Sequence, residues 1–295
     1  MSLPRVSIVI PTYNQARFLK AALASVIAQT ERDWEAVVIN NFSDDDTAAV
    51  TDGFCDPRIR RMDFRNNGVI AASRNRGIQL ARSAWVAFLD SDDLWLPEKL
   101  ARCLALTDRA ADLVSHPEII VRDGHRLGNT EVVTSERRID YLTLLYRGNC
   151  LSPTATIVRK SALEAVGGFS EDPALATAED YDLWLRLARF GIHSRFVTEP
   201  LSHFTLHDAS ATTSIARHMQ ANLTVLERHF AELGPPLPIE WLWRRRARAR
   251  ALYGAARAYH KAGRRGEAMP LLKRSLGLYP FAPKTYAALA MTVVA

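Results

Sequence analysis

No stretch of this 295-residue chain reaches the roughly 18 uninterrupted apolar residues that a bilayer span requires. Cysteine is scarce. Cys55, Cys103 and Cys150 lack metal-binding spacing and leave one thiol unpaired, so buried thiols in a reducing cytoplasm are expected. The opening Met1-Ser2-Leu3-Pro4-Arg5 lacks the basic region, apolar core and small-residue cleavage site of a signal peptide. No nucleic-acid recognition motif occurs, and nucleic acid is not an expected partner. The N-terminal region also lacks a glycine-rich, lysine-bearing phosphate loop, which counts against a nucleotidyltransferase.

What remains is the composition of an ordinary folded domain, 48% hydrophobic and 24% charged. Its charge is unevenly placed. From Trp241 onward there are twelve Lys and Arg and one acidic residue, Glu267, a net +11 that leaves −5 for residues 1–240 of the total +6. A basic tail of this kind suits an anionic lipid surface or an acidic protein. Trp241 and Trp243 beside Arg244-Arg245-Arg246, with Arg248 and Arg250 following, fit peripheral contact with an anionic membrane. A solvated face of a packed helix is the plainer alternative.

The most informative stretch is Phe88-Leu89-Asp90-Ser91-Asp92-Asp93-Leu94-Trp95. The apolar run Trp85–Leu89 stops at three carboxylates within four positions. Like charges packed so closely repel one another unless they share a cation. Oxygen ligands suit Mg²⁺ or Mn²⁺, ions that commonly bridge to phosphates. An acidic turn capping the next helix, with Pro97 in its first turn, would account for the same residues.

The first half alternates strand-like and helix-like runs. Strands are expected at Val6–Ile10 (ending at Pro11), Trp34–Ile39, Ile59–Phe64 and Trp85–Leu89, and helices at Phe18–Gln29, Asp46–Phe54 and Ala71–Ala81. Such alternation implies α/β architecture, a mostly parallel sheet flanked by helices, with ligands collecting at the carboxyl ends of the strands. Polar clusters follow four of these strands: Thr12-Tyr13-Asn14, Asn40 to Asp44, Arg65 to Gly68, and Asp90 to Asp93. Further on, Leu113–Arg122 reads as one strand, Thr154–Val158 as another, and Glu179–Arg189 as an amphipathic helix. Helices follow Ser214, broken at Gly234-Pro235-Pro236. Residues 256–280 resemble a tetratricopeptide unit, too short an array to stand alone. The expected division is 1–214 and 215–295.

Over about the first 215 residues the chain resembles a family 2 glycosyltransferase with the GT-A fold. The matching segments are Val6 to Asn14, Ser25 to Glu35, Asn67 to Gly77, Asp90 to Pro97, Gly167-Gly168-Phe169 and Glu179 to Arg186, in the family's order. The resemblance implies an inverting, metal-dependent transfer of sugar from a nucleotide diphosphate sugar to a glycan or lipid-linked acceptor. It implies Mg²⁺ or Mn²⁺ held by Asp92 and Asp93, with His207 approaching the metal or diphosphate. Asp90 would contact the ribose or orient its neighbours. Pro11, Thr12 and Tyr13 would form the nucleotide loop, with Tyr13 stacked on the base and Arg74 paired with the nucleotide. Asp180 would be the base that deprotonates the acceptor, and Glu179 would orient it. The chain departs from the family at Asn40-Asn41, where Asp is usual. An amide at Asn40 both donates and accepts, so it either reads uracil without charge or signals a different base. An inactive core with a recruiting tail is the competing function.

Overall fold

Buried hydrophobic strands build the larger core. The computed structural model describes residues 3–107, 111–130, 140–207 and 214–294. They divide into two compact units, Met1–Asp140 with Cys150–Glu171 and Leu183–Asp208, and Tyr141–Asn149 with Asp172–Asp182 and Ala209–Ala295.

The first unit opens with β1 (Val6–Thr12), α1 (Ala16–Ile27), β2 (Trp34–Asn40), α2 (Thr47–Asp52), β3 (Ile59–Asp63), α3 (Ile70–Leu80) and β4 (Trp85–Phe88). Then come β5 (Leu94–Trp95), α4 (Lys99–Leu104), β6 (Leu113–Ser115), β7 (Glu118–Arg122) and β8 (His125–Asn129). After α5 (Tyr141–Arg147), which belongs to the second unit, follow β9 (Ile157–Arg159), α6 (Lys160–Ala165), α7 (Glu179–Phe190), β10 (Ser194–Phe196) and β11 (Ser202–Leu206). The boundary between units falls within α7, after Asp182.

Among the described residues the strands form a seven-stranded sheet, ordered β10-β6-β9-β4-β1-β2-β3, and a four-stranded one, ordered β5-β11-β7-β8. β1 lies between β2 and β4, all parallel, and β3 adds to β2 in parallel. Burial on both faces explains why β1 and β2 read as continuous apolar runs. Their polar members pair with each other. Ser7 donates to Glu35 (2.6 Å), and the Arg82 backbone and guanidinium donate to it at 2.7 Å each. Burial pushes the Glu35 carboxyl up, but these hydrogen bonds outweigh it and hold the group below the usual range. Leu19, Ala22, Leu23 and Val26 bury the apolar face of α1 as its spacing predicts.

Three differences from the expected elements have physical causes. β1 continues through Pro11 to Thr12, because its ladder with β4 has already ended at Val9↔Phe88 and no bond there needs the missing N–H. The expected strand Leu113–Arg122 is two strands in two sheets: the chain breaks at His116-Pro117, β6 joins β9 and β10, and β7 joins β11 and β8. The hairpin joining β7 to β8 turns at Asp123-Gly124, both at positive φ (51° and 77°), a turn signal present in the sequence.

The second unit adds α8 (Ile215–Leu233), α9 (Pro238–Lys261), α10 (Arg265–Leu278) and α11 (Pro283–Val294). Ala256, Tyr259, Ala268, Leu272 and Ala288 form a small core among the last three. Much of the arginine run that starts α9 fastens helix to helix. Arg244 is buried and donates to the Phe230 carbonyl (3.2 Å); Arg245 reaches the carbonyls of Gly277 and Leu278 (2.7 and 2.8 Å); Arg248 pairs with Glu227 (2.6 Å). Among the described residues no helix is long and apolar enough to cross a membrane.

Gly77 lets α3 approach β1 closely: a Cβ there would lie 2.2 Å from a Val9 methyl. Gly77→Ala is therefore expected to destabilise the protein by about 1–3 kcal/mol, read as a lower midpoint in urea unfolding with an unchanged slope.

Candidate active site

Because β1, β2, β3 and β4 run parallel, their carboxyl ends open on one edge of the sheet, with Thr12, Asn40 and Asp63 level in register. All four predicted polar clusters follow these ends. They divide into an acidic turn after β4 and a cleft beyond β1, β2 and β3.

At the acidic turn, Asp90 accepts from the Arg74 guanidinium (2.7 Å), which comes from α3. Arg74 is buried, with its charge 5.3 Å from the centre of the Phe169 ring. Phe169 is set in turn by Asn75, whose side chain donates to the Phe169 carbonyl (2.9 Å) and accepts its N–H (2.8 Å). The same amide lies against Gly168, where φ is +71° and a Cβ would meet it at 2.5 Å. The separated segments around Asn75 and Gly167-Gly168-Phe169 thus build one support.

Asp92 and Asp93 face different ways. Asp92 lies 2.8 Å from Nε2 of His207, just past β11, and the His207 ring stacks on Phe18 of α1 (centroids 4.6 Å apart). Asp93 is 2% exposed, and both its oxygens are engaged, one by the Thr154 hydroxyl (2.6 Å), the other by the Thr205 N–H (2.8 Å). Burial, then the charge of Asp90, raises the Asp92 carboxyl above its usual range, with His207 opposing. Burial raises Asp93 further, followed by the charges of Glu118, Asp92 and Asp90. Glu118, buried and accepting from Ser202 (2.9 Å), is pushed up to about 7, mainly by burial. Buried Lys99 is pushed down to about 8 by the same cause, its ammonium 3.7 Å from the centre of the Trp95 ring.

A cation would relieve this concentration of carboxylate. Among the described residues no group of three or more His, Cys, Asp or Glu side chains is arranged to hold a metal. Asp92 and His207 form a pair, one oxygen and one nitrogen donor. A pair suits an ion that takes its remaining ligands from substrate phosphates and water. Phe18 and Thr154 were not anticipated as parts of the site, and Asn75 only as a member of the matching segment Asn67 to Gly77. An aromatic in a helix or a Thr in a strand-like run carries no local sign of such a role.

The cleft, about 660 Å³, is lined among others by Tyr13, Asn40, Phe42, Asp63 and Arg65. Pro11 and Thr12 end β1 beside it, both buried. Tyr13 is 53% exposed. Asn14 accepts the Asp44 N–H on its side-chain oxygen and donates its own N–H to the Ser43 hydroxyl, joining the two loops. Of the three aspartates after Ser43, it is Asp45 that meets the start of α2, accepting from Thr47 (N–H, 3.1 Å), and it also takes the Ala16 N–H of α1 (2.9 Å).

Glu179 and Asp180 lie in the second unit, at the start of α7. Asp180 accepts from the Asn149 amide (3.1 Å) and the Tyr181 N–H (2.7 Å). Glu179 is buried and turns back to accept the Thr177 N–H (2.8 Å), holding a non-glycine residue at φ 80°. His218 braces the same turn through the Thr177 carbonyl (3.0 Å).

The glycosyl transferase family 2 model matches residues 7–167. A UDP-Glc:alpha-D-GlcNAc-diphosphoundecaprenol beta-1,3-glucosyltransferase of Escherichia coli, WfgD, is 30% identical over 189 residues, 62% of this chain and 70% of that enzyme. Staphylococcus aureus TarS (residues 1–349, in complex with UDP-GlcNAc) superposes with a TM-score of 0.65 at 19% identity, over 98% of this chain and 89% of that one. The mannosyltransferase PcManGT of Pyrobaculum calidifontis, in complex with GDP-Man and Mn²⁺, gives 0.61 at 20% identity, over 100% and 87%. These likenesses identify the fold as GT-A.

The raised Glu118 carboxyl predicts a pH effect on stability. A group protonated more readily in the folded than in the unfolded state favours folding at low pH. That contribution is lost as pH rises from the unfolded value near 4.5 to about 7. Glu118→Gln should flatten the fall in thermal midpoint across this window relative to wild type; parallel wild-type and variant curves would contradict it.

Proposed function

The chain belongs to glycosyl transferase family 2, and on that premise we propose that it is an inverting, metal-dependent transferase. It moves a sugar from a nucleotide diphosphate sugar to a hydroxyl of a glycan or lipid-linked acceptor. The observation that carries this reading is the Asp92–His207 pair, at the same sheet edge as a cleft with an exposed aromatic.

In this reading Tyr13 stacks on the base, and Pro11, Thr12 and Asn40 shape its surroundings. Arg74 and Asp90, already paired, set the ribose side. Asp92 and His207 would hold Mg²⁺ or Mn²⁺, while Asp93, bonded on both oxygens, fixes the turn from behind. The ion, when bound, neutralises charge on the departing diphosphate. Asp180 takes the proton from the attacking hydroxyl, with Asn149 orienting its carboxylate and Glu179 holding the turn before it. Direct attack by that hydroxyl inverts the sugar carbon. The name of the Escherichia coli relative, which acts on a diphosphoundecaprenol-linked sugar, supports surface polysaccharide or lipid-linked glycan synthesis. A cytoplasmic protein touching the inner membrane face agrees with the exposed Trp241 and Trp243 and the basic tail. Residues 1–214 are taken as the transferase domain and 215–295 as its basic helical region.

Two experiments test this. Thermal shift with a panel of sugar nucleotides should show stabilisation by one donor that depends on Mn²⁺ and disappears in Asp92→Asn. Asp180→Asn should lower turnover at least about a hundredfold while donor affinity stays within a factor of about two; near-normal turnover would remove Asp180 from the mechanism.

A further inference from the structure

Asn40 is the residue that the resemblance offers for reading a base, yet its side chain is spent inside the protein. It is 3% exposed. Its amide nitrogen donates to Asp63 (2.7 Å), and its oxygen accepts both the hydroxyl (2.6 Å) and the N–H (3.1 Å) of Ser43. Its cross-strand partner Asp63 also lines the cleft, and with a far more accessible side chain, 40% exposed.

Asp63 is held in place as a binding group is. Arg61 pairs with it and reaches across to Asp52 as well (3.0 Å). Asn40 fixes its other oxygen. Each carboxylate oxygen retains a second lone pair for a ligand. Arg61 dominates its titration, opposed by burial and assisted by Asn40, and the carboxyl sits below its usual range, ionised at neutral pH. Around it the cleft presents two exposed aromatic rings, Tyr13 and Phe42. Phe42 stands at φ 53°, a strained backbone for a bulky residue, with its ring left in solvent and Arg65 5.2 Å from its centre. Flat apolar faces beside a fixed anion describe a nucleobase pocket.

We propose that Asp63, rather than Asn40, reads the nucleobase, and that it selects bases with a ring N–H on the pairing edge, uracil, thymine or guanine, over adenine and cytosine. This inference rests on the sugar-nucleotide reading above. Its chemistry is simple. Uracil and thymine at N3, and guanine at N1, carry a hydrogen that a carboxylate accepts. Adenine and cytosine present a ring nitrogen lone pair at the equivalent place, and an anion opposite it is repelled. A site built to accept a hydrogen bond discriminates strongly against ligands that cannot donate it. Asn40 and Arg61 act as positioning residues for this carboxylate.

The test is calorimetric titration of UDP, GDP, ADP and CDP, with Mn²⁺ present, into wild type, Asp63→Asn and Asp63→Ala, with thermal midpoints confirming that each variant folds. Wild type is expected to bind UDP or GDP at least tenfold more tightly than ADP and CDP. Both variants should weaken the preferred nucleotide about ten- to hundredfold and bring the ratios between bases towards one. A merely structural role would weaken all four alike and leave the ratios intact, and that result would overturn the proposal. Wild type without preference among the four would also overturn it. Binding of none of them would bring down the sugar-nucleotide reading itself, and this inference with it.

Discussion

The anchoring of Asp93 is the interaction on which the rest of the acidic site depends. Its two oxygens join Thr154, ahead of β9 in the large sheet, to the backbone of β11 in the small one. The acidic turn after β4 is thereby tied to both sheets. Asp92 can then meet His207, 115 positions away in sequence, with Phe18 stacked on the imidazole. Breaking a buried, doubly bonded carboxylate of this kind leaves polar groups without partners, so the arrangement has little freedom to drift.

That anchoring has an electrostatic cost. Asp90, Asp92, Asp93 and Glu118 place negative charge in and beneath one turn, and burial raises three of them above their usual ranges. Arg74 answers Asp90, and buried Lys99 acts on Glu118 from within. Asp92 meets the imidazole of His207 instead. Such a poised carboxylate is suited to a cation that arrives with an anionic substrate, because the ion relieves repulsion already present in the fold.

The basic tail has a different use for its charge. Arg244, Arg245 and Arg248 are engaged by Phe230, by the last carbonyls of α10 and by Glu227, so much of what reads as a cationic patch is helix-to-helix fastening. The aromatic residues beside them, Trp241 and Trp243, stay exposed. Composition therefore overstated the free charge of this region.

Local pattern was enough to determine the strand–helix alternation, the parallel sheet and the gathering of polar clusters at its carboxyl edge. Short apolar runs set between helical patterns suit strands buried on both faces, and parallel strands present their carboxyl ends on one side of the sheet. The same pattern marked Asp92, His207 and Asp180 through a resemblance carried by ordered motifs. Tertiary structure decided what the sequence left open. It split Leu113–Arg122 between two sheets, because Pro117 interrupts the ladder and the partners of each half come from distant segments. It turned Asp93 inward and Asp92 outward, a choice between adjacent identical residues that only the positions of Thr154 and Thr205 could make. It also enclosed Asn40 and left Asp63 facing the cleft. Cross-strand register determines which of two neighbouring polar groups is spent on the other, and register is a property of the assembled sheet.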